Sequence, residues 1–180
     1  MVPLFCASLV VPQERSLLRI ARSKVSFTSD APLESIQAST FASTGLLDPE
    51  EHTFVVQVPM RSLEGFNSPL QKEHFNENYL RSDLFPNAQF KGRIIEDISL
   101  VKSGDHRVRA KGELLIHGVS KERIIECAVK VDASGVHVRS SFMVAMADHG
   151  IRIPRVVHQK IAPEVKVEVD LHFASTVPSE

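Results

Sequence analysis

The sequence has few cysteines, no excess of basic residues and no long apolar run, and each of these features excludes a class of protein. It contains 2 cysteines, Cys6 and Cys127, so we expect neither a disulfide framework nor a cysteine metal site. Its 21 Lys and Arg nearly cancel its 22 Asp and Glu, and no basic surface for nucleic acid is predicted. No apolar run approaches the roughly 18 residues that a membrane-spanning helix needs, so we predict no transmembrane segment.

Catalytic and cofactor motifs are also missing. The 8 histidines show no HxH or HExxH spacing, and we predict no metal site. The 8 glycines are spread singly and form no phosphate-binding loop, so no cofactor is predicted. Asp148 and His149 are neighbours in a predicted loop, without a serine or cysteine in a nucleophile-elbow context. We therefore interpret both as loop residues.

A chain of 180 residues has the size of one domain, which we place at residues 23–175. Residues 1–22 are interpreted as an N-terminal arm. Within it, residues 2–11 resemble the later part of an export signal, but lack a basic n-region and a small-x-small cleavage site. Two interpretations stay open: a signal truncated at the assigned start, which predicts a periplasmic or secreted protein, and an arm that is poorly ordered or covers a sheet edge.

Alternation of apolar and polar residues predicts β-strands over most of the remaining chain. The alternation has no exception over residues 165–173, where valine, leucine and phenylalanine alternate with charged residues and histidine. Weaker alternation predicts seven more strands, over residues 23–29, 36–42, 53–60, 88–100, 108–116, 125–131 and 136–146. Short turns, one of them at residues 45–49, join most of them, and a meander of this size usually closes to remove its edges. We predict an all-β, antiparallel, up-and-down barrel of about eight strands.

One segment, residues 68–92, departs from this period. Ser68 is a favourable helix N-cap, Pro69 suits a first helical turn, and Gln71 completes a capping box. We predict a short helix between strands 3 and 4, over Pro69 to Tyr79, that fades near Asn76 and forms a lid on the barrel.

An eight-stranded barrel is either filled by side chains or holds one slender ligand. The small residues predicted to face inward support both interpretations, because they leave room or accommodate the phenylalanines opposite; they are Ala38, Ala42, Ala88, Gly92, Ala110 and Gly112. Alternation predicts a ligand-binding set on the inner face: Phe27, Phe54, Val56, Phe90, Gly112, Leu114, Cys127, Phe142, Val144, Val167, Val169 and Phe173, with Phe75 and Tyr79 at the mouth. His74 lies on the predicted lid, where it contacts either a polar ligand head or a neighbouring carbonyl.

Four blocks of the sequence resemble the YceI-like family of lipocalin-like barrels that bind polyisoprenoids. HFNENYLRSDLFPNAQFKG is similar to the family's helix, proline and strand block, and GELLIHGVSK to its strand-and-turn signature. DHGIRIP with its preceding strand, and the closing EVKVEVDLHF, resemble its final hairpin. The first strands offer Phe27 and Phe41 but no histidine, so the chain resembles a shorter branch of the family. The resemblance covers about residues 25–173 and implies a bacterial, usually exported barrel that holds an isoprenoid or quinone-like chain without catalytic residues.

Three functions are therefore possible for a barrel with this sequence. The leading one is a carrier for a long apolar chain such as a polyisoprenoid, an isoprenoid quinone or a similar lipid. The second is a lipid isomerase or cyclase that uses His74 with Glu73 or Glu77 as acid and base. The third is a ligandless structural or stress-response barrel with a solid interior, which a cavity would contradict. The sequence leaves open whether the chain forms a homodimer.

Overall fold

The computed structural model describes residues 16–175, which form a β-barrel with one short α-helix. The strands are β1 (Leu18–Asp30), β2 (Ser35–Thr40), β3 (Thr44–Leu47), β4 (Thr53–Pro59), β5 (Asn87–Ile94), β6 (Gly104–Ile116), β7 (Val119–Asp132), β8 (Gly135–Ala145) and β9 (Glu164–Ser175). Helix α1 spans Pro69–His74. No helix in this part of the chain is long and apolar enough to cross a bilayer.

The barrel begins earlier than the sequence predicted. Because β1 starts at Leu18, residues 18–22 belong to the barrel and not to an arm, and the predicted boundary at residue 23 is wrong. The remainder of the predicted arm up to residue 15 lies outside the described residues.

All strand pairs are antiparallel, and β1 closes the sheet by pairing with β9 on one side and with β2 and β3 on the other. Val25 pairs with Thr40 of β2 and Leu18 pairs with Leu47 of β3, so both strands keep one continuous register on β1. They are therefore two halves of a single barrel strand, and the nine strands form a closed barrel of eight. The predicted fold class is confirmed.

The interruption of that strand at residues 41–43 was not predicted. Thr40 Oγ1 accepts a hydrogen bond from the Ala42 backbone N–H at 3.0 Å and bonds to Ser62 Oγ at 2.6 Å. This turns Phe41 and Ala42 out to solvent, so the inward position predicted for Ala42 is wrong.

The chain pairs again immediately afterwards. The predicted turn over residues 45–49 is wrong as well, because Thr44–Leu47 is strand and the turn follows it. There the Asp48 carboxylate accepts hydrogen bonds from the backbone N–H groups of Glu50 and Glu51 at 2.9 and 3.0 Å.

The two ends of the barrel are built differently. The end that we call the mouth carries residues 31–34, 60–86 and 146–163. The end that we call the base is crossed by residues 95–103, because β5 stops at Ile94 instead of running to about Leu100 as predicted. Leu100 is buried there in one core cluster with residues of β6 to β9.

The short helical segment is confirmed where the sequence placed it. Ser68 Oγ accepts a hydrogen bond from the Gln71 backbone N–H at 3.1 Å, which caps α1. After His74 the helix widens into a π-turn over Phe75–Tyr79. Asn76 accounts for the end of the regular helix, because its side chain donates to the Lys72 carbonyl at 2.9 Å and accepts from Ser82 Oγ at 2.7 Å.

Candidate functional site: an apolar cavity inside the barrel

The barrel encloses a cavity of about 580 Å³ that reaches from the base to the mouth. Leu47 and Phe173 line its base end, and Gln71 and Lys160 line its mouth. The volume falls within the roughly 300–1,000 Å³ of small-molecule sites, whereas a packed core leaves few voids larger than a water molecule. The cavity contradicts the solid interior that the ligandless alternative predicts.

All members of the predicted set except Gly112 line the cavity wall. The predicted set that lines it comprises Phe27, Phe54, Val56, Phe75, Tyr79, Phe90, Leu114, Cys127, Phe142, Val144, Val167, Val169 and Phe173, together with His74. Their contact with a ligand stays a prediction. The wall is almost wholly aliphatic and aromatic because every strand of the barrel presents its apolar face inward.

Gly112 is the exception, and its predicted place in the cavity wall is wrong. It pairs with Gly92 across β5 and β6, and a Cβ on Gly112 would lie 2.2 Å from the Lys91 carbonyl oxygen. A Cβ on Gly92 would lie 2.1 Å from the Lys111 carbonyl oxygen. The predicted inward position of Gly92 is also wrong, because neither glycine lines the cavity. The two glycines let the adjacent strands approach closely.

Three phenylalanines form a cluster beside the mouth. The rings of Phe27 and Phe75 stack with centroids 5.3 Å apart and planes 8° apart. Phe66 packs against both, at 5.0 Å from Phe75 and 6.0 Å from Phe27. Sequence reasoning missed Phe66 because it lies in a connecting segment, where no strand period marks an inward side. The connecting segments also contribute the unpredicted wall residues Met60, Leu63, Met146, Ile151, Val157 and Ile161.

Polar side chains concentrate at the mouth. Glu34 Oε1 accepts hydrogen bonds from Gln71 Nε2 at 2.8 Å and from Asn67 Nδ2 at 3.1 Å. His74 and Lys160 also line this end, and neither side chain has a hydrogen bond or ion pair within residues 16–175. The site is therefore amphiphilic, with a mostly apolar interior and a polar opening.

The acid and base pair of the enzyme hypothesis does not converge on the cavity. His74 lines the mouth, but Glu73 and Glu77 are exposed and are not part of the wall. No cluster of three metal-binding side chains occurs in the described part of the chain.

The one completely buried histidine lies outside the cavity. His149, predicted as a loop residue, sits in a 3-10 turn with Nδ1 3.0 Å from the Val119 carbonyl oxygen. His117 Nδ1 lies 3.1 Å from the His149 carbonyl oxygen. These contacts fasten the β8–β9 connection to the turn between β6 and β7 and bring no histidine to the ligand site.

Cys127 places a thiol on the cavity wall. Burial raises the pKa of this thiol above its ordinary value, and a hydrogen bond with Ser140 on β8 offsets the rise in part. Burial also raises the pKa of the Tyr79 phenol near the mouth. Both groups are therefore neutral at physiological pH, which suits an apolar ligand.

Comparison with known proteins agrees with this geometry. The family model for the YceI-like domain matches residues 18–173. A search of curated protein sequences finds no match. Among solved structures, a polyisoprenoid binding domain from Saccharophagus degradans superimposes with a TM-score of 0.75 at 13% sequence identity, covering 90% of this chain and 99% of that chain.

Two further solved structures have the same fold. Burkholderia cenocepacia BcnA superimposes with a TM-score of 0.68 at 14% identity, covering 85% of this chain and 96% of that one. A Campylobacter jejuni YCEI protein gives 0.56 at 14% identity, with coverages of 76% and 81%. At such identities the structures establish the fold alone, whereas the family model spans nearly the whole barrel. The chain belongs to the YceI-like family.

Proposed function

We propose that this protein binds and carries a long apolar chain, such as a polyisoprenoid, an isoprenoid quinone or a similar lipid, inside the barrel. The observation that carries the proposal is the cavity of about 580 Å³, which is almost wholly apolar in its interior and polar at one opening. Each methylene transferred from water into such a space gains about 0.8 kcal/mol, without any directional contact. Binding here needs no acid and base pair.

The comparisons support the same ligand class. The family is that of the YceI-like domain, and the Saccharophagus degradans neighbour is described as a polyisoprenoid binding domain. Its cavity residues cannot be carried over at 13% identity, so the contacts proposed for this chain come from its own wall.

The distribution of polar residues along the wall supports one orientation for the ligand. Its apolar tail lies toward Leu47 and Phe173 at the base, and its polar end lies at the mouth beside Gln71, His74 and Lys160. The reverse orientation would bury a polar head among aliphatic side chains without hydrogen-bond partners, which costs several kcal/mol.

We also propose that the protein acts in the periplasm or outside the cell. The apolar residues 2–11 resemble part of an export signal. The structural neighbours come from bacteria. Fractionation of the native host, with the protein detected in the periplasm or medium, tests this assignment; detection in the cytoplasm alone would contradict it.

The ligand proposal is tested by gentle purification and by thermal melts. Native mass spectrometry of protein purified from its own host should show an added mass of one lipid-like molecule. Added isoprenoid quinone should raise the Tm, because a ligand at about 100 times its Kd stabilises the folded state by about 2.7 kcal/mol. A hydrophilic quinone without the prenyl tail is the control and should leave the Tm unchanged. A Tm that responds to no prenyl chain of any length would overturn the proposal.

A further inference from the structure

Three exposed apolar side chains surround the mouth. Leu33 is 67% exposed in the β1–β2 turn, Leu70 is 57% exposed on α1, and Val156 is 91% exposed in the β8–β9 connection. Single exposed apolar residues are common on protein surfaces. Here three of them, from three separate segments, border one opening into an apolar cavity. We call Leu33, Leu70 and Val156 the rim.

Backbone and side-chain hydrogen bonds hold the rim together. The Leu33 backbone N–H donates to the Gln159 carbonyl at 2.8 Å, which joins the β1–β2 turn to the β8–β9 connection. The bond from Gln71 to Glu34 joins α1 to the same turn. The three segments therefore form one continuous edge.

The rim is also continuous with the cavity wall. Val156 lies in a 3-10 turn over Arg155–Val157, closed by a bond from the Val157 N–H to the Pro154 carbonyl at 3.0 Å. This turn directs Val156 to solvent, while Val157 beside it lines the cavity. Leu70 is both exposed and part of the wall. An apolar path thus leads from the outer surface into the barrel.

The β8–β9 side of the rim carries a net positive charge. Residues 146–163 contain Arg152, Arg155 and Lys160 against one acidic residue, Asp148. All three side chains are exposed, and none has an ion pair or a hydrogen bond within residues 16–175. On the opposite side, α1 carries the exposed Glu73, so the positive charge is concentrated around Val156.

We propose that the rim docks on the surface of an anionic phospholipid membrane. Apolar side chains that project beside Lys and Arg are the combination that binds the boundary between headgroups and acyl chains. With the mouth against the bilayer, an apolar chain passes between membrane and cavity without crossing water. This transfer rests on the proposed function, whereas the docking itself does not.

Co-sedimentation with vesicles tests the docking. The parent protein should bind vesicles of phosphatidylglycerol and phosphatidylcholine, bind pure phosphatidylcholine far more weakly, and lose affinity as salt is raised. Arg152→Gln with Arg155→Gln should weaken binding roughly fivefold for each charge removed. Leu33→Ser with Val156→Ser should weaken it by about tenfold, because the inserted apolar area is lost.

A matched control lies at the other end of the barrel. Val101 is 77% exposed on the segment that crosses the base, a value between those of Leu33 and Val156, so Val101→Ser removes a comparable apolar group far from the mouth. It should bind vesicles as the parent does. The proposal would be overturned if the parent does not bind anionic vesicles, or if the rim variants bind them as well as the parent does. An equal loss of vesicle affinity in Val101→Ser would also overturn it.

A second measurement separates docking from ligand binding. The Leu33→Ser, Val156→Ser variant should keep the Tm rise that isoprenoid quinone in detergent solution causes in the parent. Vesicle binding without any quinone response in the parent would contradict the proposed function and leave docking supported. A quinone response without vesicle binding would overturn docking alone, and the rim would then fit a protein partner.

Discussion

Gly92 and Gly112 stand opposite each other in β5 and β6, and each strand occupies the space where the other's Cβ would lie. Alternation assigns Gly112 to the inner face of the barrel, but alternation describes side chains, and glycine has none to direct inward. What the sequence could not show is how closely the two backbones approach. That distance depends on how the two strands pack within the whole sheet, which is not a local property of either sequence segment.

Alanine at Gly112 should therefore destabilise the fold. The added Cβ would lie 2.2 Å from the Lys91 carbonyl oxygen and 2.8 Å from the Gly92 Cα, and backbone atoms move only if the strands separate. We expect a loss of about 1–3 kcal/mol in the free energy of unfolding, measured by urea denaturation.

Gly104→Ala is the matched control for Gly112→Ala, since its Cβ would meet only the His106 ring at 3.2 Å, and that side chain can turn away. It should change the stability by no more than about 0.5 kcal/mol. Equal stability of the parent and Gly112→Ala would show that the strands are not in contact here.

Cys127 offers a second test at the residue scale. Its thiol faces the cavity with a raised pKa, and the thiolate is the reactive form. In a Cys6→Ser background, the folded protein should react with a charged thiol reagent at least tenfold more slowly than it does in denaturant. Added isoprenoid quinone should slow the reaction further. Rapid labelling of the folded protein would contradict the assigned strand register.

At the scale of elements, the predictions succeeded where local sequence decides the structure. The strict alternation of β9 and the Ser68 cap of α1 are local signals, and both elements form where they were predicted. The break at residues 41–43 and the end of β5 at Ile94 depend on contacts distant in sequence. Connecting segments contribute much of the mouth, and they have no period from which an inward side can be predicted.

Glu96 makes one contact that is distant in sequence, with Arg109, and the contribution of this contact to the free energy of unfolding should depend on pH. The Arg109 backbone N–H donates to Glu96 Oε2 at 2.6 Å and the guanidinium Nε donates to Oε1 at 2.7 Å. These bonds lower the pKa of Glu96 below its ordinary value of 4.5. Since the folded pKa lies below the unfolded one, the stabilisation is present at neutral pH and is lost as the pH falls below about 4.5.

The measurement compares the parent with Glu96→Gln across the acid range. The difference in free energy of unfolding should be largest near neutral pH and should shrink on acidification. Glu122→Gln is the control, because its ion pair with Lys111 at 3.5 Å is exposed and such pairs contribute about 0–1 kcal/mol. A difference for Glu96→Gln that is unchanged at acidic pH would refute this role of the carboxylate.

At the scale of the whole molecule, the sequence could predict closure of the barrel but not the space within it. Closure follows from the number of strands and their short connections. A cavity is the space that is left after all side chains have been placed. A single small residue therefore does not show whether it leaves space for a ligand or accommodates a large side chain opposite. Ala38, Ala88 and Ala110 face inward as predicted, whereas Ala42 does not. Only their joint arrangement with the large residues decides between a tunnel and a packed core.

Filling the cavity is the decisive test at this scale. Ala110 is buried on β6 and lines the cavity, so Ala110→Leu should place its added carbons in space that a ligand needs. We expect stability to be kept or raised by about 0.5–2 kcal/mol, as for other cavity-filling changes. The Tm rise caused by isoprenoid quinone should be lost.

Ala128→Leu provides the control for the cavity-filling test. Ala128 does not line the cavity, and it pairs with Arg107 and Arg139, which lie on the outer face of the neighbouring strands. Leucine there adds the same carbons outside the barrel and should leave the quinone response intact. If the interior were solid, Ala110→Leu would instead overpack it and cost about 1–3 kcal/mol. A destabilised Ala110→Leu that still responds to quinone like the parent would therefore place the ligand somewhere other than the barrel interior.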